Sequence, residues 1–414
     1  MNTAKSRAAA YAPLFAYLLT LTISVVGSSY LSGRIWGIDI WNGAPGAPGA
    51  FSLLIFGLVV GACVWFLPYF GASRNTERSS ASDRTYVFLS LVLLVLFILA
   101  FYLFRARTHF LGDGYTLLSL LAADNPLIKQ REIGESLIHV WVKNIFGLSG
   151  EAGALKAFQI ISISAGALYL AALSIAAGKL FENNIQRALF VVGIMCAGNA
   201  PLFFGYVENY SVFAVSVLLV TLMGALSLSD VVSRLWIIPA LAFSIWLHAL
   251  GVTLIPGVVY VLVRDTRLAQ LLSNLALRWK LSLAAITLAL FWSVFVYFYR
   301  TNIFFEAALL PIFQSRFTVE GYTLFSRAHL LDFANLLILL CPWALVALAL
   351  FLSKQRKALF AEGHSQIVRF LVILSVSTVA AVFIFDPKIG MPRDWDLFSF
   401  AAIPVTVLFY FILL

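Results

Sequence analysis

Residues 86–104 read Tyr-Val-Phe-Leu-Ser-Leu-Val-Leu-Leu-Val-Leu-Phe-Ile-Leu-Ala-Phe-Tyr-Leu-Phe, a run without a charge between Arg84 and Arg105. A helix needs about 20 such residues to cross the hydrocarbon core of a bilayer, where every backbone polar group must be satisfied within the segment. Working outward, comparable runs recur at 11–31, 51–70, 152–177, 188–204, 211–229, 281–299, 331–352, 367–385 and 397–414. None alternates with period two, which excludes the pattern of a transmembrane β-barrel. Of 414 residues 62% are hydrophobic and 11% charged. A soluble domain carries roughly a quarter charged residues, so the bilayer must serve as this chain's solvent.

The stretch 235–263 is long for one span and short for two. Pro239, Gly251, Pro256 and Gly257 interrupt it, with His248 near its middle. Arg234 stands before it, and Arg264, Arg267, Arg278 and Lys280 follow. The preference of basic residues for the cytoplasmic side places both ends there, so two short helices must turn near His248. The expected architecture is an all-α, polytopic bundle of about twelve spans. Lys5 and Arg7 precede the run 11–31, which reads as a retained span, being long for a signal peptide and lacking a clear A-x-A site.

Cys63, Cys196 and Cys341 lie in apolar runs, where a thiol behaves as a small hydrophobe, and no disulfide or zinc framework is indicated. The net charge of +9 is scattered between spans without an aromatic-interleaved basic patch, so no nucleic-acid partner is expected. In the topology above the acids gather on the outer segments, 105–150, 300–330 and 386–396, which makes the outer face the working face. The cytoplasmic loops are short, and the GAPGAPG run at 43–49 is a short outer turn. Within the first outer segment Ile133, Leu137, Ile138, Trp141, Val142, Ile145 and Phe146 recur at helical spacing, with Glu132, Glu135, His139 and Lys143 on other faces. This predicts an amphipathic helix lying in the membrane interface.

Four constellations carry possible chemistry. In His109-Phe110-Leu111-Gly112-Asp113-Gly114-Tyr115 the flanking glycines allow a tight turn that presents Asp113, and the plainer reading is an Asx turn or helix N-cap. In Pro201 to Tyr210, Glu208 sits close to hydrocarbon, where a carboxylate is costly without a partner; an ion pair with an arginine is the structural alternative. Asp386 to Asp396 packs Asp386, Lys388, Arg393, Asp394 and Asp396 beside Trp395, a set suited to a sugar and a phosphate, or else a polar turn with a tryptophan anchor. His248 lies between two half-length helices, where transfer proteins place ligand-facing groups, although a lone histidine is more often simply hydrogen-bonded.

This arrangement resembles the GT-C superfamily of membrane glycosyltransferases, which use polyprenyl-phosphate-linked sugars. The resemblance lies in an acidic motif in an outer loop (Asp113), interfacial helices after it (133–146), a proline-containing hairpin end (Pro201 to Tyr210), and short helices flanking a basic residue and followed by a proline (Trp246 to Pro256). It covers about 86–414 as a catalytic core, with 1–85 as an added N-terminal hairpin. The acidic loop usually follows the first span, lysine is common where His248 stands, and the C-terminal soluble domain of many members is absent.

The resemblance implies transfer of a sugar from a polyprenyl-phosphate donor to an acceptor hydroxyl on the periplasmic or luminal face, in a bacterium at the inner membrane. Asp113 would be the general base. Glu208, Tyr206, Asp394, Trp395 and Asp396 would bind sugar, and Arg131, His248, Lys388 and Arg393 the lipid phosphate. Asp113, Glu208 and Asp394 would hold a divalent cation if one is used. The rivals are a transporter or flippase of a lipid-linked sugar or small anion, which should show mid-membrane charge pairs and repeat symmetry, and a noncatalytic assembly subunit.

Overall fold

The computed structural model describes residues 80–107, 109, 112–195, 197–264, 276–279, 307–341 and 365–414, with isolated helical positions between 281 and 300. The expected spans at 11–31 and 51–70, the 43–49 turn, Cys63, Cys196 and most of 281–299 and 342–352 lie outside these residues. The described residues form α1 (Ser80–Leu103), α2 (Gly114–Ala122), α3 (Ile133–Ile145), α4 (Gly150–Leu180), α5 (Asn184–Met195), α6 (Ser211–Leu228), α7 (Ile237–Leu247), α8 (Ile255–Val263), α9 (Arg327–Leu340), α10 (Ser365–Ile384), α11 (Trp395–Phe398) and α12 (Ala402–Leu413). Among them no strand occurs beyond a single bridge between Leu309 and Phe385.

Among the described residues, five helical segments are long and apolar enough to cross a membrane: Arg84–Leu103, Gly150–Leu180, Ser211–Leu228, Ser365–Ile384 and Trp395–Ile412. Three shorter apolar segments accompany them, Asn184–Met195, Arg234–Leu247 and Ala249–Val263. The chain is therefore a helical membrane protein by length and composition, with the full span count left as a sequence expectation. α2 starts directly after Asp113, where the N-cap reading put a helix start, and the expected run 188–204 ends early, at Met195, before a 3-10 turn at Ala200–Phe203. Pro201 stands at the start of that turn, where a missing N–H costs nothing.

α4 is the central post, packed against α1, α2, α3, α5 and α6. Its inward residues Tyr169, Leu170, Leu173 and Ala177 have no exposed surface. Small residues let the helices approach closely. A Cβ on Gly193 would lie 2.0 Å from the ring of Tyr410 on α12, and one on Gly224 would lie 2.1 Å from Phe370 on α10. In a bilayer, where apolar burial gives little drive, such close van der Waals packing is what holds spans together. The outward residues of α1, Val87, Phe88, Leu91 and Val95, are exposed as a hydrocarbon-facing surface requires.

The predicted interruption of 235–263 is present. α7 ends at Leu247, His248 is extended, a 3-10 turn runs from Ala249 to Leu254, and α8 follows. The segments expected on one side of the membrane also meet at one end of the bundle. Ala106 N–H donates to Phe204 O (2.7 Å), Ala249 N–H to Arg131 O (2.8 Å), and Leu310 N–H to Ile384 O (2.8 Å). At the other end Arg187 Nε donates to Phe181 O (2.9 Å) and Gln186 Nε2 to Leu414 O (2.7 Å).

Candidate functional site

The acidic turn forms as its glycines require. Gly112 has φ +77°, a conformation an L side chain rarely adopts, and a Cβ there would lie 2.5 Å from Glu208 Oε1 and 3.2 Å from Asp396 Oδ2. The missing side chain is thus what allows two carboxyl groups from distant segments to close over the turn. Asp113 N–H then donates to Glu208 Oε1 at 3.2 Å.

Asp113 occupies the N-cap position of α2, yet its side chain makes no capping hydrogen bond. Its Oδ2 instead pairs with Lys129 Nζ at 2.8 Å, and the side chain stays 40% exposed. The capping alternative accounts for its position but not for its carboxylate. Lys129 also faces Glu132 Oε2 at 3.7 Å. Burial alone would lower the Lys129 ammonium, but Glu132 and then Asp113 outweigh it and hold it above the ordinary lysine value.

Glu132 continues the network. Its Oε2 accepts from Asn209 Nδ2 at 2.8 Å, and its Oε1 lies 3.9 Å from His248 Nε2. Burial raises the Glu132 carboxyl, with Lys129 and Asn209 opposing. Glu208 is buried, and among the described residues no arginine lies within ion-pair distance of it, so the arginine-pair alternative is not what the fold provides. Burial, then the charges of Asp396 and Asp113, push its carboxyl well above the ordinary range, which favours the protonated form. Tyr206 Oη donates to Asp396 Oδ2 at 3.2 Å.

The third segment divides. Asp394 Oδ2 accepts from Ile389 N–H at 3.1 Å. Burial lifts its carboxyl to about 6 against the pull of its backbone hydrogen bonds, and Asp113 adds to the rise. Lys388 is engaged elsewhere: with Arg316 it pairs with Asp386, at 2.7 and 3.3 Å, and it also donates to Ala307 O. It ties two loops together, and the one carboxylate shared by two cations leaves this cluster with a net positive charge. Trp395 is 2% exposed, its ring 5.7 Å from that of Tyr206. It packs against Tyr206, the partner of Asp396. Arg393 is exposed, and among the described residues its guanidinium has no ion-pair partner. Arg131 is exposed at the entrance to α3.

His248 is a neutral group in this arrangement. Its Nδ1 accepts from Leu250 N–H at 3.0 Å, which leaves the proton on Nε2, facing Glu132. The cationic phosphate contact expected from the sequence becomes a helix-capping hydrogen-bond group. Among the described residues no group of three His, Cys, Asp or Glu side chains is placed to hold a metal ion.

Asp113, Glu208, Asp396, Tyr206 with Trp395 packed against it and, through Glu132, His248 are therefore brought together, whereas Lys388 pairs with Asp386. Lys129 and Glu132 belong to the network although no motif marks them as site residues, and Asn209 joins it from within the Pro201 to Tyr210 motif. The signal for Glu132 lay in the polar face of the amphipathic helix. Lys129 had none, because nothing local distinguishes it from other interfacial lysines.

No protein-family model matches the sequence, and no curated protein or solved structure is significantly similar to it. The GT-C resemblance accordingly rests on the order and placement of this chain's own motifs.

Proposed function

We propose that the protein is a membrane glycosyltransferase of GT-C type, moving a sugar from a polyprenyl-phosphate donor to an acceptor hydroxyl at the outer membrane face, in a bacterium the periplasmic face of the inner membrane. One observation carries this reading: Asp113 forgoes its capping role and holds a partly exposed carboxylate against Lys129, beside the buried carboxyls of Glu208 and Asp396. A base, a cation and protonatable hydrogen-bonding groups thus stand at one helix end.

In this reaction the acceptor oxygen attacks the anomeric carbon as its proton passes to Asp113. The bond from that carbon to the phosphate oxygen breaks, and the electron pair leaves on polyprenyl phosphate. Lys129, Arg131 and Arg393 are the cations placed to stabilise that leaving charge. Glu208 and Asp396, with Tyr206, supply hydrogen bonds to sugar hydroxyls. Phosphate is a good leaving group, so no strong general acid is needed.

The test follows polyprenyl phosphate released from a sugar-loaded lipid pool in the presence of acceptor membranes. Asp113→Asn should insert and fold normally and lose roughly two to four orders of magnitude in rate. Asp124→Asn, exposed on the same segment, should behave like the parent. Equal rates in the parent and Asp113→Asn would remove Asp113 from catalysis. Movement of the intact lipid-linked sugar without release of polyprenyl phosphate would favour the transporter.

A further inference from the structure

α3 turns its apolar residues outward and its polar ones inward: Ile133, Trp141, Ile145 and Phe146 are exposed, while Glu135, Ser136 and His139 are buried. An interfacial helix gains by dipping its apolar face into the acyl region, but that gain does not require two glutamates beneath it. Their positions explain them. The N-terminus of α6 begins after Tyr210, which makes no side-chain cap, so its first N–H groups need an acceptor from elsewhere. Glu135 Oε1 supplies it, accepting from Phe213 N–H at 2.6 Å, with Val212 N–H also turned to the carboxylate. One turn earlier, at the N-cap position of α3, Glu132 Oε2 takes the Asn209 side chain at 2.8 Å. The two glutamates therefore grip the residues on either side of the α6 start, directly after Glu208.

α3 is itself seated against backbone. A Cβ on Gly134 would lie 2.8 Å from Leu247 Cα and from Trp246 O, and Arg131 O accepts from Ala249 N–H at 2.8 Å. The clamp thus has a fixed base on the α7 end and a grip on the α6 end.

We propose that Glu132 and Glu135 are positioning residues: together they clamp the 208–213 turn and so hold the Glu208 carboxyl against Asp113. The clamp is independent of what the site transfers or carries, because it concerns the placement of Glu208 alone. Glu135 supplies the helix cap that the α6 sequence lacks, and Glu132 couples the same turn to Lys129 and His248. A ligand that displaces Lys129 from Glu132 would loosen this grip from one side.

The test uses the full-length protein in lipid nanodiscs without ligand, with two readouts. Amide hydrogen exchange is followed at Val212 and Phe213, and the Glu208 carboxyl is titrated by infrared difference spectroscopy, its band assigned with Glu208→Gln. Glu135→Leu removes the acceptor, and Glu135→Asp keeps the carboxyl but withdraws it by one methylene. Both should speed exchange at Val212 and Phe213 roughly fivefold to tenfold and move the Glu208 titration toward the ordinary carboxyl range. Glu135→Gln keeps an acceptor oxygen and should stay within about twofold of the parent in exchange. Should Glu135→Leu fail to fold, Glu135→Asp carries the same comparison. Unchanged exchange and an unchanged Glu208 titration in the Asp variant would overturn the clamp. So would a Gln variant that exchanges as fast as Leu. Loss of transfer activity alone bears only on the proposed reaction.

Discussion

Gly112 shows how one missing side chain assembles the site. Its backbone sits at φ +77°, and the space where a Cβ would project is already taken by Glu208 Oε1. Gly147 is the natural comparison, with φ +59° and nothing within 4 Å of where a Cβ would stand. Alanine at either position meets the left-handed penalty, about 1–2 kcal/mol. Only at residue 112 must a buried carboxyl also move. Gly112→Ala should therefore lower the apparent melting temperature in detergent more than Gly147→Ala does, and should displace the Glu208 infrared band. Equal effects from the two substitutions would mean that Glu208 does not depend on this approach. The paired glycines of the 109–115 motif were legible in the sequence because backbone conformation is a local property. That Glu208 fills the vacated space was not, since the two residues lie far apart along the chain.

At the scale of the element, α3 joins a lipid-facing surface to a buried polar one. Burial raises the Glu135 carboxyl to about 8, the hydrogen bonds from Phe213 and Val212 oppose the rise, and Glu132 adds to it. A carboxyl whose folded value lies above its unfolded one contributes stability that is fully present below the unfolded value, near 4.3, and is lost as pH rises toward the folded one. His139, lowered to about 4 by burial against the support of the Glu135 carbonyl, acts in the opposite direction, but only below its ordinary value of 6.5. Between pH 6.5 and 8 the Glu135 contribution should therefore fall with rising pH. The difference in apparent melting temperature between the parent and Glu135→Gln, measured across this window, should change in that direction. A flat difference would show that Glu135 ionises in the folded protein as it does in the unfolded one. Helical spacing predicted α3 and both its faces. It did not reveal that the polar face points into the bundle, because amphipathicity defines two faces without naming what covers each.

For the whole molecule, the segments 105–150, 204–210, 307–326 and 385–396 meet at one end, and 181–187, 229–236 and 264 at the other. Tags near Asn125, Ser315 and Ile389 should report one side of the membrane, and tags near Asn183 and Asp230 the opposite side. Labelling Asn125 and Asn183 from the same side would break the arrangement. The sequence alone determined the helical membrane class, the break at His248 and the turn at Asp113, because apolar length, proline and glycine act over one or two turns of chain. Tertiary structure decided which polar residues form the site. It joined Asp113 to Lys129, Glu208 to the Gly112 turn and Glu132 to Asn209, and it paired Lys388 with Asp386 and packed Trp395 on Tyr206. A buried charge must find its partner among whatever segments packing brings beside it, and that choice is made by the assembled bundle, not by any stretch of sequence read alone.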